Sequence, residues 1–220
     1  MVALTVRLLR GCLLSRSSAD AIVTSANPHL AGNANGTYWQ FAGRKNVDGA
    51  VRLAAGPELM DAAATLVRSG PLSVGCVVST PSGALPDATH VLHAIVPDRL
   101  YGASGSSSDV LLACYARSLT LASELNCQAV RVPALGCGVR GWPPALSAKL
   151  ARVAINNFAT LVSTSSRTSR HSRLNRVDFV LHDHHVWKAW RHVWACPWET
   201  AASKCALHVI IDDEPGGVAA

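Results

Sequence analysis

A chain of 220 residues that is 49% hydrophobic is long enough to bury one sizeable core. The net charge is +6, because 16 Arg and 4 Lys outnumber 14 acidic residues, although charged residues make up only 15% of the chain. No stretch of about 18 uncharged apolar residues occurs, which excludes a membrane-spanning helix. The positive charge favours anionic ligands, including nucleic acid.

Seven cysteines are spread along the chain without a Cys-x-x-Cys pair. This spacing predicts a reducing compartment, the cytoplasm or the nucleus, rather than a disulfide-stabilised scaffold. An organelle transit peptide remains an alternative, because Arg7, Arg10 and Arg16 precede the first acidic residue, Asp20. The competing prediction is a strand over residues 2–9 at the edge of a sheet.

Apolar runs alternate with helical patterns along the rest of the chain. Further strands are predicted over residues 21–23, 74–79, 90–95, 129–135, 177–181 and 207–211. Helices are predicted from residue 47 and over residues 109–126, 144–162 and 183–195. This alternation predicts an α/β fold, a three-layer α/β/α domain with a largely parallel sheet. We expect a monomeric domain over residues 1–195 and a tail of unknown role over residues 196–220.

A glycine-rich turn at residues 136–141 links the predicted strand before it to a helical pattern that opens at Pro143 and Pro144. Such a turn can bring bare backbone N–H groups against a phosphate at a helix N-terminus. A dinucleotide fingerprint would need an acidic residue about 20 positions later, and none occurs between Gly141 and Asp178. The turn and the loop at Asn27 both follow strands, so we expect them to face one crevice.

Four segments together resemble the macro domain family of ADP-ribose-binding modules. They are residues 20–27, 47–59, 85–94 and 133–143, and they occur in the order that is typical of the family. The resemblance implies a mixed sheet and a cleft that binds ADP-ribose or an ADP-ribosylated macromolecule. It implies neither a metal nor a cofactor.

The resemblance also assigns roles to individual residues. Asn27 would hydrogen-bond the distal ribose, and Asp48 would activate or orient water as in hydrolytic family members, although helix-start stabilisation is its alternative role. The other positions implied to contact the ligand are Leu13, Val47, Gly49, Gly136, Cys137, Gly138, Val139, Arg140, Gly141 and His182. Asn27 has the alternative role of a turn former.

The chain departs from the family pattern in four places. A longer segment that includes residues 38–41 replaces the usual glycine run, and Arg52 stands where hydrolytic members carry His. Cys12 replaces the acidic residue that contacts the adenine amino group. His182, or else Phe179, matches the aromatic residue that stacks on the adenosine. Adenine selectivity and catalysis therefore stay open.

Three rival interpretations concern other residues. Cys137 is a candidate nucleophile, because a helix N-terminus can lower the pKa of a thiol. His185, His192 and Cys196 have helical spacing that could serve a metal, or they belong to an exposed helix face. The arginine-rich residues 163–175 could touch nucleic acid or form a solvated loop.

The function predicted from the sequence is binding of ADP-ribose or of ADP-ribosyl groups. Hydrolysis of that group from protein, from nucleic acid or from a 1''-phosphate is left open. The alternatives are a non-catalytic ADP-ribose reader and a nucleic-acid-binding relative.

Overall fold

The computed structural model describes residues 4–15, 18–32, 46–99, 108–164, 172–196 and 207–212. The strands are β1 (Leu4–Arg10), β2 (Ala21–Ala26), β3 (Val77–Pro81), β4 (His90–Ile95), β5 (Ala129–Pro133), β6 (Arg176–Leu181) and β7 (Leu207–Asp212). The helices are α1 (Val47–Ala55), α2 (Pro57–Leu66), α3 (Ser108–Glu124), α4 (Pro144–Thr164) and α5 (His184–Ala195). Residues 38–41 and 165–171, which carry two of the sequence predictions, lie outside the described residues.

The seven strands form one sheet in the order β3-β4-β2-β5-β6-β1-β7. Only β3 and β4 pair antiparallel, and the other neighbouring strands run parallel. The predicted mixed, largely parallel sheet is therefore confirmed. The prediction that β1 lies at the edge is wrong, because β7 pairs along its outer side from Leu4–Leu207 to Leu9–Asp212. Part of the segment assigned to the tail thus belongs to the sheet.

Helices cover both faces of the sheet, as the three-layer prediction requires. On one face, α3, α4 and α5 pack on alternate strand residues such as Val6, Leu8 and Val130, and together they form the larger apolar core. On the other face, Val51 of α1 and Leu59 of α2 pack in a smaller core. Among the described helices, none is both long and apolar enough to cross a membrane.

Helix α2 is absent from the sequence predictions. Gly56 ends α1 at a φ of 77°, and Pro57 begins α2 one residue later. Proline is well placed at the start of a helix, where its missing N–H has no partner to lose. The Gly-Pro pair therefore marks the junction between two helices rather than the end of helical structure.

Candidate ligand-binding cleft

The cleft lies beyond the carboxyl ends of β2 and β5, which are neighbours in the sheet. It encloses about 600 Å³, part of it open to solvent. Its lining consists of Ser25, Asn27, Gly32, Asn46, Val47, Asp48, Pro133, Ala134, Gly136, Gly138, Val139 and Arg140. The Asn27 loop and the glycine turn, which the sequence predicted to face one crevice, both line this cleft.

The glycine turn, residues 136–141, forms one wall of the cleft. Gly136 has a φ of 79°, and a Cβ atom there would lie 2.6 Å from Cδ1 of Trp142. Both facts require glycine at this position. Within the turn, the N–H of Gly141 donates to the carbonyl of Gly138 at 3.1 Å, and the N–H of Trp142 donates to that of Gly136 at 3.0 Å. The turn is thus held by its own backbone.

Three successive backbone N–H groups of this turn lack a backbone acceptor among the described residues. In the described part of the chain, the N–H groups of Gly138, Val139 and Arg140 make no backbone hydrogen bond. A Cβ atom on Gly138 would meet nothing within 4 Å, so the backbone there borders open space. Successive unpaired N–H groups at a concave turn are a typical binding site for phosphate oxygens.

The start of α1 forms the opposite wall. The side chain of Asn46 caps the helix, with Oδ1 accepting from the N–H of Gly49 at 2.7 Å. Val47 and Asp48 begin the helix, where backbone N–H groups lack carbonyl partners from a preceding turn. Both residues line the cleft. Two groups of donors therefore face one space, an arrangement suited to a diphosphate.

Asp48 is the buried carboxylate of the cleft, with 4% of its surface exposed. Thr24 of β2 donates to its Oδ1 at 3.1 Å. Burial raises the pKa of the Asp48 carboxyl, while the charges of Arg52 and Arg140 and the hydrogen bond from Thr24 act to lower it. A carboxylate with a raised pKa at a cleft wall can accept a proton from water.

Arg52 lies one helical turn after Asp48 on α1. A Cβ atom on Gly32 would lie 3.0 Å from Cδ of Arg52 and 3.6 Å from Oδ2 of Asp48. Both side chains therefore lie close to this glycine. Nη1 of Arg52 is buried and has no hydrogen-bond partner among the described residues. The charge of Arg52 therefore acts on Asp48, although Arg52 is not among the described residues that line the cleft.

His93 of β4 stands next to Thr24 across the sheet and is fully buried. Its Nε2 lies 2.9 Å from the Thr80 hydroxyl, and its Nδ1 has no partner within the described residues. Burial, followed by the charge of Arg52, lowers the pKa of His93 to about 4. The imidazole is therefore neutral at physiological pH and adds no charge behind Asp48.

Asn27 lines the cleft, but its side chain also shapes the loop of residues 27–32. Its Nδ2 donates to the carbonyl of Gly32 at 2.8 Å, and its Oδ1 accepts from the N–H of His29 at 3.0 Å and of Ala31 at 3.3 Å. The turn-forming role considered for Asn27 is thus present in the structure. A hydrogen bond between Asn27 and the distal ribose remains a prediction.

Several other predicted contact residues do not line the described cleft. Leu13 is buried in the smaller apolar core. The N–H groups of Gly49 and Gly141 are used by Asn46 and by the glycine turn. His182 is exposed just beyond β6, and Cys12 is exposed after β1. Any contact that these residues make with an adenine base remains a prediction.

Phe179, the alternative stacking residue, is wrongly assigned. Its side chain is 1% exposed, and its ring packs 5.1 Å from that of Trp190 and 5.4 Å from that of Trp194. The alternation of side chains along β6 turns Phe179 toward the α3, α4 and α5 face and into the main core. It cannot stack on a base in the cleft.

Cys137 is not an activated nucleophile. Burial raises the pKa of its thiol to about 11, and the side chain does not belong to the described cleft lining. The thiol is therefore protonated at neutral pH, which is the reverse of what nucleophilic catalysis requires. His185, His192 and Cys196 are exposed, and the described residues contain no cluster of three metal-ligating side chains.

Sequence reasoning missed Thr24 and the side chain of Arg140. Thr24 contacts Asp48 only because β2 and α1 pack together, and the separation of 24 positions along the chain hides this contact from sequence reasoning. Arg140 was expected to contribute its backbone, but its side chain also donates to the carbonyl of Ala26 at the end of β2. A charged residue inside a glycine turn was the available signal for Arg140.

Comparison with known proteins identifies the family. A family model described as Macro domain matches residues 23–151. A macro domain-containing protein of Streptomyces nogalater is 32% identical over 186 residues, which cover 83% of this chain and 88% of the relative. A Citrobacter rodentium protein named O-acetyl-ADP-ribose deacetylase is 37% identical over 144 residues, covering 65% and 74% of the two chains.

Solved structures agree on the fold. The Trypanosoma brucei macrodomain, crystallised in complex with ADP-ribose, matches with a TM-score of 0.68 at 24% identity, over 86% of this chain and 69% of that chain. The Oceanobacillus iheyensis macrodomain with bound MES matches with a TM-score of 0.67 at 22% identity, over 85% and 88% of the two chains. The chain belongs to the macro domain family.

Proposed function

We propose that this chain binds ADP-ribose, free or attached to a macromolecule, in the cleft between the glycine turn and the start of α1. The observation that carries the proposal is the run of three unpaired N–H groups at residues 138–140, which faces the N-terminus of a helix. Two such donor groups match the two phosphates of a diphosphate. The relatives named for ADP-ribose chemistry support this choice of ligand.

In this arrangement the diphosphate lies between the two walls of the cleft. The distal ribose lies at the end that holds Asn27 and Asp48, which we call the distal end. The adenine lies on the side of β1 and β6, toward Cys12 and His182. We propose that the chain binds this ligand as a monomer.

We further propose that the cleft hydrolyses a group from the distal ribose slowly. Asp48 is the one described carboxylate that lines the cleft, and Thr24 holds one of its oxygens. A positioned carboxylate can orient water and take its proton as the bond to the ribose breaks. The deacetylase relative supports hydrolytic chemistry in this family. Without turnover, the chain is an ADP-ribose reader.

Isothermal titration calorimetry with ADP-ribose, AMP, ATP and poly(A) tests the binding proposal. We expect ADP-ribose to bind more tightly than AMP and ATP, because only ADP-ribose carries the distal ribose. Tight binding of poly(A) with no heat from ADP-ribose would instead assign the chain to nucleic acid.

A further inference from the structure

Three hydrogen bonds form a closed cycle around Leu135, the residue that enters the glycine turn. The N–H of Leu135 donates to the Tyr115 hydroxyl at 2.8 Å. The Ser147 hydroxyl donates to the carbonyl of Leu135 at 2.9 Å. The two hydroxyl oxygens lie 2.7 Å apart, and Tyr115 is the donor between them because the Ser147 proton is used on the carbonyl. We call Tyr115, Leu135 and Ser147 the Leu135 clamp.

The clamp supplies hydrogen bonds that the backbone does not give to Leu135. Strand β5 ends before it, at Pro133, and among the described residues neither the N–H nor the carbonyl of Leu135 has a backbone partner. All three residues of the clamp are buried, so bulk water does not reach these groups. Because a buried peptide group without a partner is destabilising, the two hydroxyls favour one position of Leu135.

Both hydroxyls come from helices of the main core. Tyr115 lies on α3, and its aromatic ring packs edge-on against those of Phe179 and Trp190, with centroids 6.3 Å and 6.4 Å away. Ser147 lies near the start of α4. Burial raises the pKa of Tyr115 well above its ordinary value, so the phenol keeps its proton at neutral pH and remains a donor. The clamp therefore connects the glycine turn to the core.

The clamp lies at the entrance of the turn that carries the unpaired N–H groups of residues 138–140. Leu135 immediately precedes Gly136, the first residue of that turn. Beyond the turn, Nε1 of Trp142 donates to the carbonyl of Pro97 at 2.9 Å, so the exit is held by a buried side chain as well. Donors that are fixed before a ligand arrives bind it without the cost of ordering them.

We infer that Tyr115 and Ser147 are positioning residues for the diphosphate, because they hold the turn in the arrangement that presents the N–H groups of residues 138–140. Neither residue belongs to the described lining of the cleft, so they act through Leu135 and not by touching the ligand. The inference rests on the proposed function, since it takes the diphosphate to bind at this turn. It predicts that the affinity of the cleft depends on two hydroxyls outside it.

Calorimetric titration of three variants with ADP-ribose tests the inference. Tyr115→Phe keeps the aromatic packing and removes one hydroxyl, and Ser147→Ala removes the other. We expect each change to lower the affinity at least about tenfold, because the turn must then be ordered when the ligand binds. The double variant should lose far less than the product of the two single losses, because either change already opens the clamp.

Ser118→Ala is the matched control. Ser118 is also a fully buried hydroxyl on α3, but it donates to the carbonyl of Cys114 in its own helix at 2.7 Å and does not contact Leu135. Affinities are compared at a temperature at which circular dichroism shows every variant to be folded. We expect Ser118→Ala to lower the Tm and to keep the wild-type affinity. An equal loss of affinity in this control would mean that affinity follows stability, and would overturn the inference.

NMR relaxation supplies a readout that loss of stability alone does not change. In Tyr115→Phe the backbone amides of residues 138–140 should have lower order parameters than in the wild-type chain, whereas in Ser118→Ala they should not. In the wild-type chain itself, the hydroxyl protons of Tyr115 and Ser147 should exchange slowly with water. Rapid exchange of both hydroxyl protons would overturn the inference without any variant.

Wild-type affinity in folded Tyr115→Phe and Ser147→Ala variants would overturn the positioning role. Failure of the wild-type chain to bind ADP-ribose would contradict the proposed function instead. The two failures are thus distinguished, because the wild-type titration tests only the proposed function and the variant titrations test only the inference.

Discussion

Thr24 donates a hydrogen bond to the Asp48 carboxylate at 3.1 Å, and so connects the central strand β2 to the first turn of α1. Neither residue is exposed by more than 4%. The carboxylate is thereby kept in one orientation at the cleft wall, although burial disfavours its charge. Burial of the ionised carboxylate therefore lowers the stability of the folded state.

Replacing Asp48 with Asn should stabilise the folded chain at neutral pH. The folded pKa of Asp48 is raised by burial, so the wild-type chain loses stability as the pH rises through that pKa. Asn keeps the shape and the acceptor for Thr24 but never ionises. Thermal unfolding should show a higher Tm for Asp48→Asn at pH 7, and the difference should vanish below the unfolded-state pKa of about 4. A lower Tm at pH 7 would contradict this account of Asp48.

Removing the charge of Arg52 should alter both ionisable neighbours. In Arg52→Gln the pKa of Asp48 should rise, because a charge that favours the carboxylate is lost. The pKa of His93 should also rise from about 4, because the repulsion of the imidazolium by Arg52 is lost. NMR titration of the carboxyl and imidazole signals measures both.

Leu53→Ala is the control for Arg52→Gln, because Leu53 is the next residue of α1 and is 81% exposed. It should leave both pKa values unchanged. If Arg52→Gln also leaves them unchanged, Arg52 does not act electrostatically on this site.

Fold and cleft were predictable from the sequence to different degrees. The glycine turn and the Asn27 loop were predicted to meet because both follow parallel strands, and parallel strands end at the same edge of a sheet. Thr24 was not predicted as a partner of Asp48, because this contact depends on how β2 packs against α1. The contact of the Arg140 side chain with Ala26 was not predicted, because it depends on how the glycine turn lies against the end of β2. The edge position of β1 was wrong, since nothing near β1 in sequence indicates that β7 returns to pair with it.

Asp48→Ala should abolish any release of ADP-ribose while leaving most of the binding affinity, because the carboxylate acts mainly in the transition state. Release should be measured with acidic-residue-linked, serine-linked and nucleic-acid-linked ADP-ribose, each beside the variant. We expect slow release by the wild-type chain on at least one linkage. Release that never exceeds the background of the variant would support a reader without catalytic activity.

Discrimination between adenine and hypoxanthine should be weak. The resemblance implies that the exposed Cys12 stands where the family carries an acidic residue and that the exposed His182 stands where it carries a stacking ring. Without a carboxylate to accept a hydrogen bond from the adenine amino group, ADP-ribose and its hypoxanthine analogue should differ by less than about 1.4 kcal/mol in binding free energy, or about tenfold in affinity. Competition titration measures the ratio, and a strong adenine preference would refute this prediction.

The measurement that tests the proposed phosphate site at residues 138–140 most directly is calorimetric titration of Gly138→Val with ADP-ribose. Gly138 lacks a positive φ, and a Cβ atom there meets nothing within 4 Å, so the variant should fold with an unchanged Tm. Gly136→Val is the contrasting variant, and it should lower the Tm, because its Cβ would clash with Trp142. Our account predicts that Gly138→Val lowers ADP-ribose affinity at least about a hundredfold by occupying the phosphate position. Wild-type affinity in a folded Gly138→Val variant would contradict it.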